Sequence, residues 1–272
     1  TAANRILELA QKADEKTLVI NLISGGGSAL ASAPWQGEID GKFYQISLED
    51  GIQTTDLLLR SGATIQEINN VRRNCSLIKG GRLAQAIAPA TCISLILSDV
   101  IGNSLEAIAS GPTAPNLTGY YETWNIIEKY QLQDKIAKSV KEILQLGLAG
   151  KITEAPHTYS RIFAKVHNAI IGDNQMALEA AQEQAEKLGF FTRIVCNHLM
   201  GNSREAAQYL AKAAFHMKMV RKPPFCLLAG GETTVRVTGT GKGGRNQEMA
   251  LAFLGELEIG RASCRERVFR TV

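Results

Sequence analysis

The sequence contains few cysteines and histidines, the residues that build zinc centres, and those it has are scattered. Its 272 residues include five cysteines and four histidines, none of them paired at the spacing of metal ligands. Structural zinc sites bring such ligands in close pairs, and small secreted domains use denser, even sets of cysteine. The sequence therefore predicts a reduced, cytoplasmic protein without a zinc centre.

Long apolar segments are missing as well. No run reaches the roughly 18 uninterrupted apolar residues that suggest a membrane-spanning helix. The N-terminal stretch lacks the basic flank and apolar centre of a secretory signal. Apolar residues still make up 45% of the chain and charged residues 21%, which is typical of a globular protein with a sizeable core. We expect no membrane partner.

Excess charge of one sign is scarce until the end of the chain. The net charge is +4, and residues 259–272 contribute four arginines against one glutamate. A basic tail can indicate nucleic-acid binding, but this one abandons the preceding helical pattern and resembles the translation of a sequencing adapter. We therefore expect residues 259–272 to be a non-native tail, the chain to be truncated at both ends, and no nucleic-acid partner.

Short apolar segments alternate with amphipathic ones. Helical periodicity marks residues 174–189 and 203–217, and strands separated by helices of this length predict an α/β fold with mostly parallel sheets. Pro223 and Pro224 predict a boundary between domains at residues 1–222 and 223–258, and the polar stretch 150–161 is an alternative boundary. Six segments rich in β-branched residues are the predicted strands: Leu18–Ile23, Cys92–Leu97, Ala164–Ile171, Thr192–Val195, Cys226–Ala229 and Thr233–Thr238.

The stretch "LISGGGSAL" places three glycines, Gly25, Gly26 and Gly27, between Ser24 and Ser28 at the end of a predicted strand. Glycines permit the backbone conformations in which several N–H groups converge on an anion. The pattern lacks the lysine of a Walker A loop and the spacing of a dinucleotide loop. It predicts a phosphate site, and a plain tight turn is the alternative.

Two further stretches carry groups that suit phosphate chemistry. "CISLILSDV" ends a predicted strand on Asp99, where a carboxylate could hold Mg²⁺ or could cap a helix. In "IASGPT", the residues Ser110, Gly111 and Thr113 form a second turn that could meet an anion.

Cationic residues recur beside paired glycines. "EINNVRRNCSLIKGGRLA" contains Asn69, Arg72 and Lys79, the last preceding two glycines. "GGETTVRVTGTGKGGRNQE" contains Glu232, Arg245 and Asn246, and predicts a strand, a hairpin and then a helix that begins at Arg245. A guanidinium fork suits a carboxylate or a phosphoryl group. These turns are candidates for contacts with an anionic substrate.

Together, "LISGGGSAL", "SGATIQEINNVRRNCSLIKGGRLA", "LILSDVIGNSLEAIASGPT" and "GGETTVRVTGTGKGGRNQEMALAF" resemble the type II glycerate 2-kinases. The last motif resembles the start of their C-terminal domain, named MOFRL. The resemblance implies that ATP and Mg²⁺ are used to phosphorylate D-glycerate at its 2-hydroxyl, and that two α/β domains face each other across a cleft.

The resemblance also implies roles for the candidate residues. The loop Gly25–Ser28 would hold phosphates and Asp99 would serve the metal. Lys79 and Arg245 would stabilise the phosphoryl group and the glycerate carboxylate, with Glu232 and Asn246 lining the cleft.

The chain departs from the family pattern in three ways. It has Asn103 where the family usually has aspartate, and it lacks both an upstream lysine segment and a downstream "DG" region. Two alternatives are an oxidoreductase of the hydroxypyruvate reductase type and a non-catalytic nucleotide- or phosphate-binding module.

Overall fold

The computed structural model describes residues 2–261. The chain divides into two compact units, Thr1–Gly172 and Asp173–Val272. The domain boundary after residue 222 stays a prediction. A non-native tail was predicted at residues 259–272. Its part from residue 262 onward lies outside the described residues. Among the described residues, no helix combines the length and apolar character that crossing a membrane requires.

The first unit is built around a parallel sheet of three strands in the order β1-β4-β5. Leu18 of β1 pairs with Thr91 of β4, and Cys92 of β4 pairs with Val166 of β5. A separate antiparallel pair joins β2 to β3. The elements are α1 (Ala2–Ala10), β1 (Leu18–Ile23), α2 (Gly27–Leu30), β2 (Gln36–Ile39), β3 (Lys42–Gln45), α3 (Leu48–Arg60), α4 (Ile65–Asn74), α5 (Arg82–Ile87), β4 (Thr91–Leu97), α6 (Tyr120–Lys129), α7 (Lys138–Leu148) and β5 (Val166–Gly172), with short 3-10 turns at Ile108–Ser110 and Arg161–Lys165.

Two apolar cores stabilise this unit. Helices α3, α4, α6 and α7 enclose the first, which contains the fully buried Leu58, Ile127 and Leu144. The second contains residues of α1, α5 and the sheet, such as Ala3, Ile87 and Cys92. The loop between α4 and α5 runs past both cores, because Leu77 packs against each of them. This loop carries Lys79.

The second unit contains α8 (Asn174–Lys187), β6 (Phe191–Leu199), α9 (Ser203–Val220), β7 (Phe225–Gly231) and α10 (Arg245–Arg261). Strands β6 and β7 pair in parallel. Asp173 caps α8 by accepting a hydrogen bond from the Met176 N–H at 2.8 Å, and Asn202 caps α9 in the same way. Short polar side chains at these positions satisfy N–H groups that the helix itself leaves unpaired.

The predicted α/β class with parallel sheets is confirmed, and five of the six predicted strands are present. The predicted strand Thr233–Thr238 is wrong, and so is the hairpin expected from it. Within this stretch only Thr234 makes a bridge, to Asn202. Its N–H donates to the Gly201 carbonyl and its carbonyl accepts from the Ser203 N–H. The backbone at Thr234 is thus bonded to the start of α9, and Val237 is exposed.

Candidate active site

The glycine run follows β1 directly. Gly26 has a φ of 81°, in the left-handed region that residues with a Cβ rarely adopt. A Cβ at Gly25 would overlap the carboxylate of Asp99. Gly25 and Gly26 are both exposed to solvent. Gly26 requires glycine because of its backbone conformation, and Gly25 requires it because the Asp99 carboxylate lies so close. The run is therefore an open turn beside Asp99.

Asp99 reaches this turn because of the strand pairing. Strands β1 and β4 are parallel neighbours, so their carboxyl ends lie at the same edge of the sheet. The alternative that Asp99 caps a helix is wrong, since the next helical segment after β4 begins only at Ile108. Asp99 is exposed. Its role as a metal ligand stays a prediction.

Ser28 is the centre of a polar cluster, which we call the Ser28 cluster and which consists of Ser28, Asn69, Arg72, Lys79 and Ser110. Lys79 Nζ donates to the Ser28 hydroxyl at 2.7 Å and also to the Ser28 carbonyl. Arg72 Nη2 donates to the same hydroxyl at 2.9 Å, and Arg72 Nη1 donates to Asn69 Oδ1 at 3.3 Å. The Oγ atoms of Ser28 and Ser110 are 2.7 Å apart. Either of these two hydroxyls can be the donor in the bond that joins them.

The loop before α5 fixes the position of Lys79. The Ser76 hydroxyl donates to the Ala33 carbonyl at 3.2 Å and accepts from the N–H groups of Ile78 and Lys79. Two N–H groups beyond Lys79 are also bound, since Gly80 donates to the Ser110 carbonyl at 3.0 Å and Gly81 to the Gly111 carbonyl at 2.7 Å. The backbone on both sides of Lys79 is therefore fixed, and the side chain, only 4% exposed, is held in place.

Burial shifts the pKa values of both basic side chains in the cluster. Burial and the neighbouring Arg72 charge together lower the pKa of Lys79 to about 7, and burial also lowers the pKa of Arg72. Within the described part of the first unit, no carboxylate lies within ion-pair distance of either side chain. The hydrogen-bond partners of both basic side chains are thus neutral oxygen atoms, and Arg72 is also partly open to solvent.

The turn at Ser110 is strained. Ala109, Ser110 and Gly111 have successive φ values of 51°, 62° and 62°, and left-handed backbone at a residue with a side chain costs free energy and recurs at functional sites. Ser110 is buried, with its hydroxyl on Ser28. Thr113 lies apart from the cluster, where its hydroxyl bonds Ser94 at 2.9 Å and Asn168 at 2.7 Å, on β4 and β5.

Comparison with known proteins identifies the family. The model for a domain of unknown function, DUF4147, matches residues 1–145, and the model for the MOFRL family matches residues 225–268. A glycerate 2-kinase from Pyrococcus horikoshii is 42% identical over 254 residues, covering 92% of this chain and 55% of that protein. A glycerate kinase from Macaca fascicularis is 36% identical, covering 94% of this chain and 71% of that protein. This chain belongs to the glycerate kinase family.

The solved structures agree with this family assignment. The crystal structure of a glycerate kinase from Thermotoga maritima matches with a TM-score of 0.79 at 37% identity, covering 94% of this chain and 57% of that one. The chain thus spans little more than half the length of the Pyrococcus and Thermotoga proteins. The resemblance to type II glycerate 2-kinases is confirmed.

The remaining candidate residues of this glycerate kinase family member lie in its second unit. Arg245 is the first residue of α10, as predicted. Its Nη2 atom lies 2.6 Å from Glu232 Oε1, and both side chains are about half exposed, at 48% and 57%. Asn246 is exposed. Glu232 directly follows β7, so the pair joins a strand end to a helix start.

Residues 239–244, "GTGKGG", do have the glycine spacing of a dinucleotide loop immediately before α10. Such a loop joins a strand directly to a helix. Here β7 ends at Gly231, and residues 232–244 contain no strand. The structural context of a nicotinamide-binding turn is therefore missing at this position.

Asp99 fits one kind of metal site in a glycerate kinase. Among the described residues, no three histidine, cysteine or acidic side chains come together as a metal cage. Mg²⁺ often needs no such cage, because one or two carboxylates, substrate phosphates and water complete its octahedron. A single exposed carboxylate at a glycine turn suits that mode of binding.

Buried polar residues behind the cluster escaped the sequence analysis. Asn70 and Asn74 lie one turn apart on α4 and are buried. Thr123 on α6 donates to Asn70 Oδ1 at 2.6 Å and accepts from Asn74 Nδ2 at 2.8 Å. The signal in the sequence is a pair of asparagines four residues apart, at positions where the helix also buries apolar side chains. They fix the helix that carries Arg72 to its neighbour.

Proposed function

We propose that this protein contributes the phosphoryl-transfer site of a glycerate 2-kinase. The reaction moves the γ-phosphoryl group of ATP to the 2-hydroxyl of D-glycerate. The bond from phosphorus to the bridging oxygen of ADP breaks, a bond to the 2-oxygen forms, and the hydroxyl proton is released to solvent. The observation that carries the proposal is the convergence of Lys79 and Arg72 on Ser28, the last residue of the glycine loop.

The glycine loop is the proposed contact for the phosphates of ATP. Its glycines leave the backbone open to solvent beside Asp99, and the hydroxyls of Ser24 and Ser28 add donors. Asp99 would hold Mg²⁺ jointly with phosphate oxygens, and the ion would neutralise charge that develops during transfer. The buried Ser110 bonds this loop directly at Ser28, whereas the Gly111 carbonyl accepts from the Gly81 N–H and Thr113 bonds Ser94 and Asn168.

The cationic side chains are the proposed contacts for the transferring phosphoryl group and the acceptor. Phosphoryl transfer requires fixed positive charge directed at the oxygens around phosphorus. Lys79 is held by its buried loop, and Arg72 with Asn69 offers a donor and an amide for the carboxylate and hydroxyls of glycerate. Arg245, Glu232 and Asn246, which lie in the second unit, stay proposed contacts for the substrate.

The two alternatives are less well supported. An oxidoreductase needs a nicotinamide site, and residues 239–244 lack the preceding strand. A module that only binds phosphate would gain nothing from the exposed Asp99 carboxylate at Gly25, because a carboxylate repels a phosphate. Both remain outcomes of the experiment below.

The test incubates the purified chain with ATP, Mg²⁺ and D-glycerate and follows the product by phosphorus NMR. Phosphate on the secondary carbon couples to one proton and gives a doublet, whereas phosphate on the terminal carbon couples to two and gives a triplet. We expect the doublet. Binding of ATP without any phosphate ester would favour the phosphate-binding module, and oxidation of NADH with hydroxypyruvate would favour the reductase.

Arg245→Ala tests the second unit in the same assay. One preorganised donor lost from a transition state typically costs on the order of a hundredfold in turnover. Its ion pair with Glu232 is exposed, so thermal stability should barely change. Arg245→Lys should restore only part of the rate, because an ammonium lacks the planar fork. Arg236→Ala, at an exposed position of the same unit, is the control.

A further inference from the structure

The Ser28 cluster holds two basic side chains against one hydroxyl. Lys79 Nζ and Arg72 Nη2 lie 2.7 Å and 2.9 Å from the Ser28 Oγ atom. Lys79 is 4% exposed, and Arg72 is partly buried. Serine oxygen is a neutral acceptor and offsets little of the cost of removing a charge from water. Two basic donors are thus directed at the same point, and no carboxylate in the described part of the chain forms an ion pair with either of them.

On α4, Arg72 acts on Lys79 directly, and the adjacent Arg73 points to the Glu106 carbonyl at 3.3 Å. From the loop after β4, the Asp99 carboxylate lies against Gly25. The glycine loop itself contributes only the carbonyl and hydroxyl of Ser28. Burial and Arg72 thus lower the pKa of Lys79, and a negative charge bound beside it would favour its protonated form.

We propose that the Ser28 cluster binds an oxyanion and that binding is accompanied by uptake of one proton at Lys79. A carboxylate or phosphoryl oxygen would accept from both Lys79 and Arg72, and its charge would stabilise the ammonium form of Lys79. The inference rests on the proposed function for the identity of the oxyanion, which is the glycerate carboxylate or the phosphoryl group of ATP. The proton uptake itself requires only an oxyanion.

The consequence is a dependence of affinity on pH. Burial and Arg72 bring the pKa of Lys79 to about 7, so the free protein is protonated there below neutrality and neutral above it. If only the protonated form binds well, affinity should be about tenfold weaker at roughly pH 8 than at roughly pH 6. Proton uptake should rise over the same interval, from near zero towards about one proton per anion.

The experiment is isothermal titration calorimetry of the whole chain with sulfate and, separately, with D-glycerate, neither of which titrates near neutral pH. Each titration is repeated in buffers of different ionisation enthalpy, because linked proton uptake makes the observed heat depend on the buffer. We expect this dependence for at least one probe. A response to glycerate identifies the carboxylate as ligand, and a response to sulfate alone identifies the phosphoryl group.

Variants of Lys79 distinguish proton uptake from a general effect on the fold. Lys79→Arg keeps a permanent positive charge, so it should bind with heats that are independent of buffer and affinity that is independent of pH. Lys79→Met should lose most of the affinity, and Lys12→Met, at an exposed position, should behave as the parent. Failure of both probes to bind, or buffer-dependent heats that persist in Lys79→Arg, would overturn the proposal. Because no ATP is present, absence of kinase turnover would refute the proposed function without affecting this result.

Discussion

At the scale of single residues, the burial of Lys79 serves the proposed function but lowers the stability of the folded state. Its pKa lies at about 7 in the folded protein, below the ordinary value of 10.5. Between these values the unfolded chain binds more protons, so the stability of the folded state rises with pH. Below about pH 7 the full cost of the buried charge remains. A side chain without charge at this position would remove that cost.

Lys79→Met should therefore raise the free energy of unfolding, most strongly near pH 6 and hardly at all near pH 10, while it removes activity. Urea unfolding followed by tryptophan fluorescence measures this, because both tryptophans, Trp35 and Trp124, belong to the core of the first unit. Lys12→Met should show no gain that depends on pH. A loss of stability in Lys79→Met at low pH would mean that its hydrogen bonds to Ser28 outweigh the cost of burial.

The geometry at Gly25 requires a residue without a side chain. A Cβ would overlap the Asp99 carboxylate, so Gly25→Ala should displace Asp99 and weaken binding of Mg²⁺-ATP by tenfold or more, on the order of the loss of a charge-assisted contact. Gly51→Ala is the matched control, because Gly51 lies inside α3 with open space around it. The control should gain about 0.5–1 kcal/mol of stability. Equal nucleotide affinity in both variants would contradict the proposed phosphate site.

At the scale of elements, Glu67 connects two helices. It accepts from the Thr64 N–H at 2.8 Å, closing a capping box at the start of α4. It also accepts from Lys129 at 2.7 Å and from Tyr130 at 2.8 Å, at the end of α6. The Lys129 hydrogen bond and the Thr64 N–H are the leading causes that lower its pKa to about 2 from an ordinary 4.5. One carboxylate thus fixes the helix that carries Arg72.

A carboxylate with a depressed pKa stabilises the folded state above its unfolded value and loses that contribution as pH falls through the folded one. The stability that Glu67 provides should be complete above about pH 4.5 and disappear towards about pH 2. Glu67→Gln should lower the melting temperature near neutral pH and flatten its fall in acid. Thermal unfolding by circular dichroism checks this, with Glu49→Gln, an exposed acid in the first turn of α3, as control. An identical acid profile in Glu67→Gln would contradict the assignment.

At the scale of the whole molecule, the first unit's sheet exposes a row of apolar side chains on β1. Leu18, Ile20 and Leu22 alternate along β1 and are 54%, 57% and 81% exposed. Among the described residues, β1 is also an edge strand of that sheet. Parallel sheets normally bury both faces, and an exposed apolar edge favours association between chains.

Leu22→Lys should therefore reduce self-association of this chain, measured by light scattering over a range of concentrations. A lysine on an exposed edge disfavours strand addition and costs little where the leucine packs against little. Leu117→Lys alters a side chain that is 66% exposed but lies in a loop, and it should leave association unchanged. The same reduction in both variants would point to net charge instead of the strand edge.

Much of the secondary structure followed from local pattern. The strand β1 was predicted with its observed bounds, and α8 and α9 were predicted by their periodicity and capping residues. Local pattern failed at Thr233–Thr238, where β-branched residues suggested a strand but the backbone at Thr234 bonds to the start of α9. A strand needs a partner in space, and residue composition cannot supply one.

The sequence by itself determined which residues have the chemistry for the site, because glycine turns, carboxylates and guanidinium groups carry it in their covalent structure. Tertiary structure decided which of them meet. Lys79 reaches Ser28 across 51 residues, and the Ser110 hydroxyl reaches it across 82. The burial that lowers the pKa of Lys79 comes from a loop that runs past two separate cores. Desolvation and long-range contact are properties of the packed chain, so no local pattern could have revealed them.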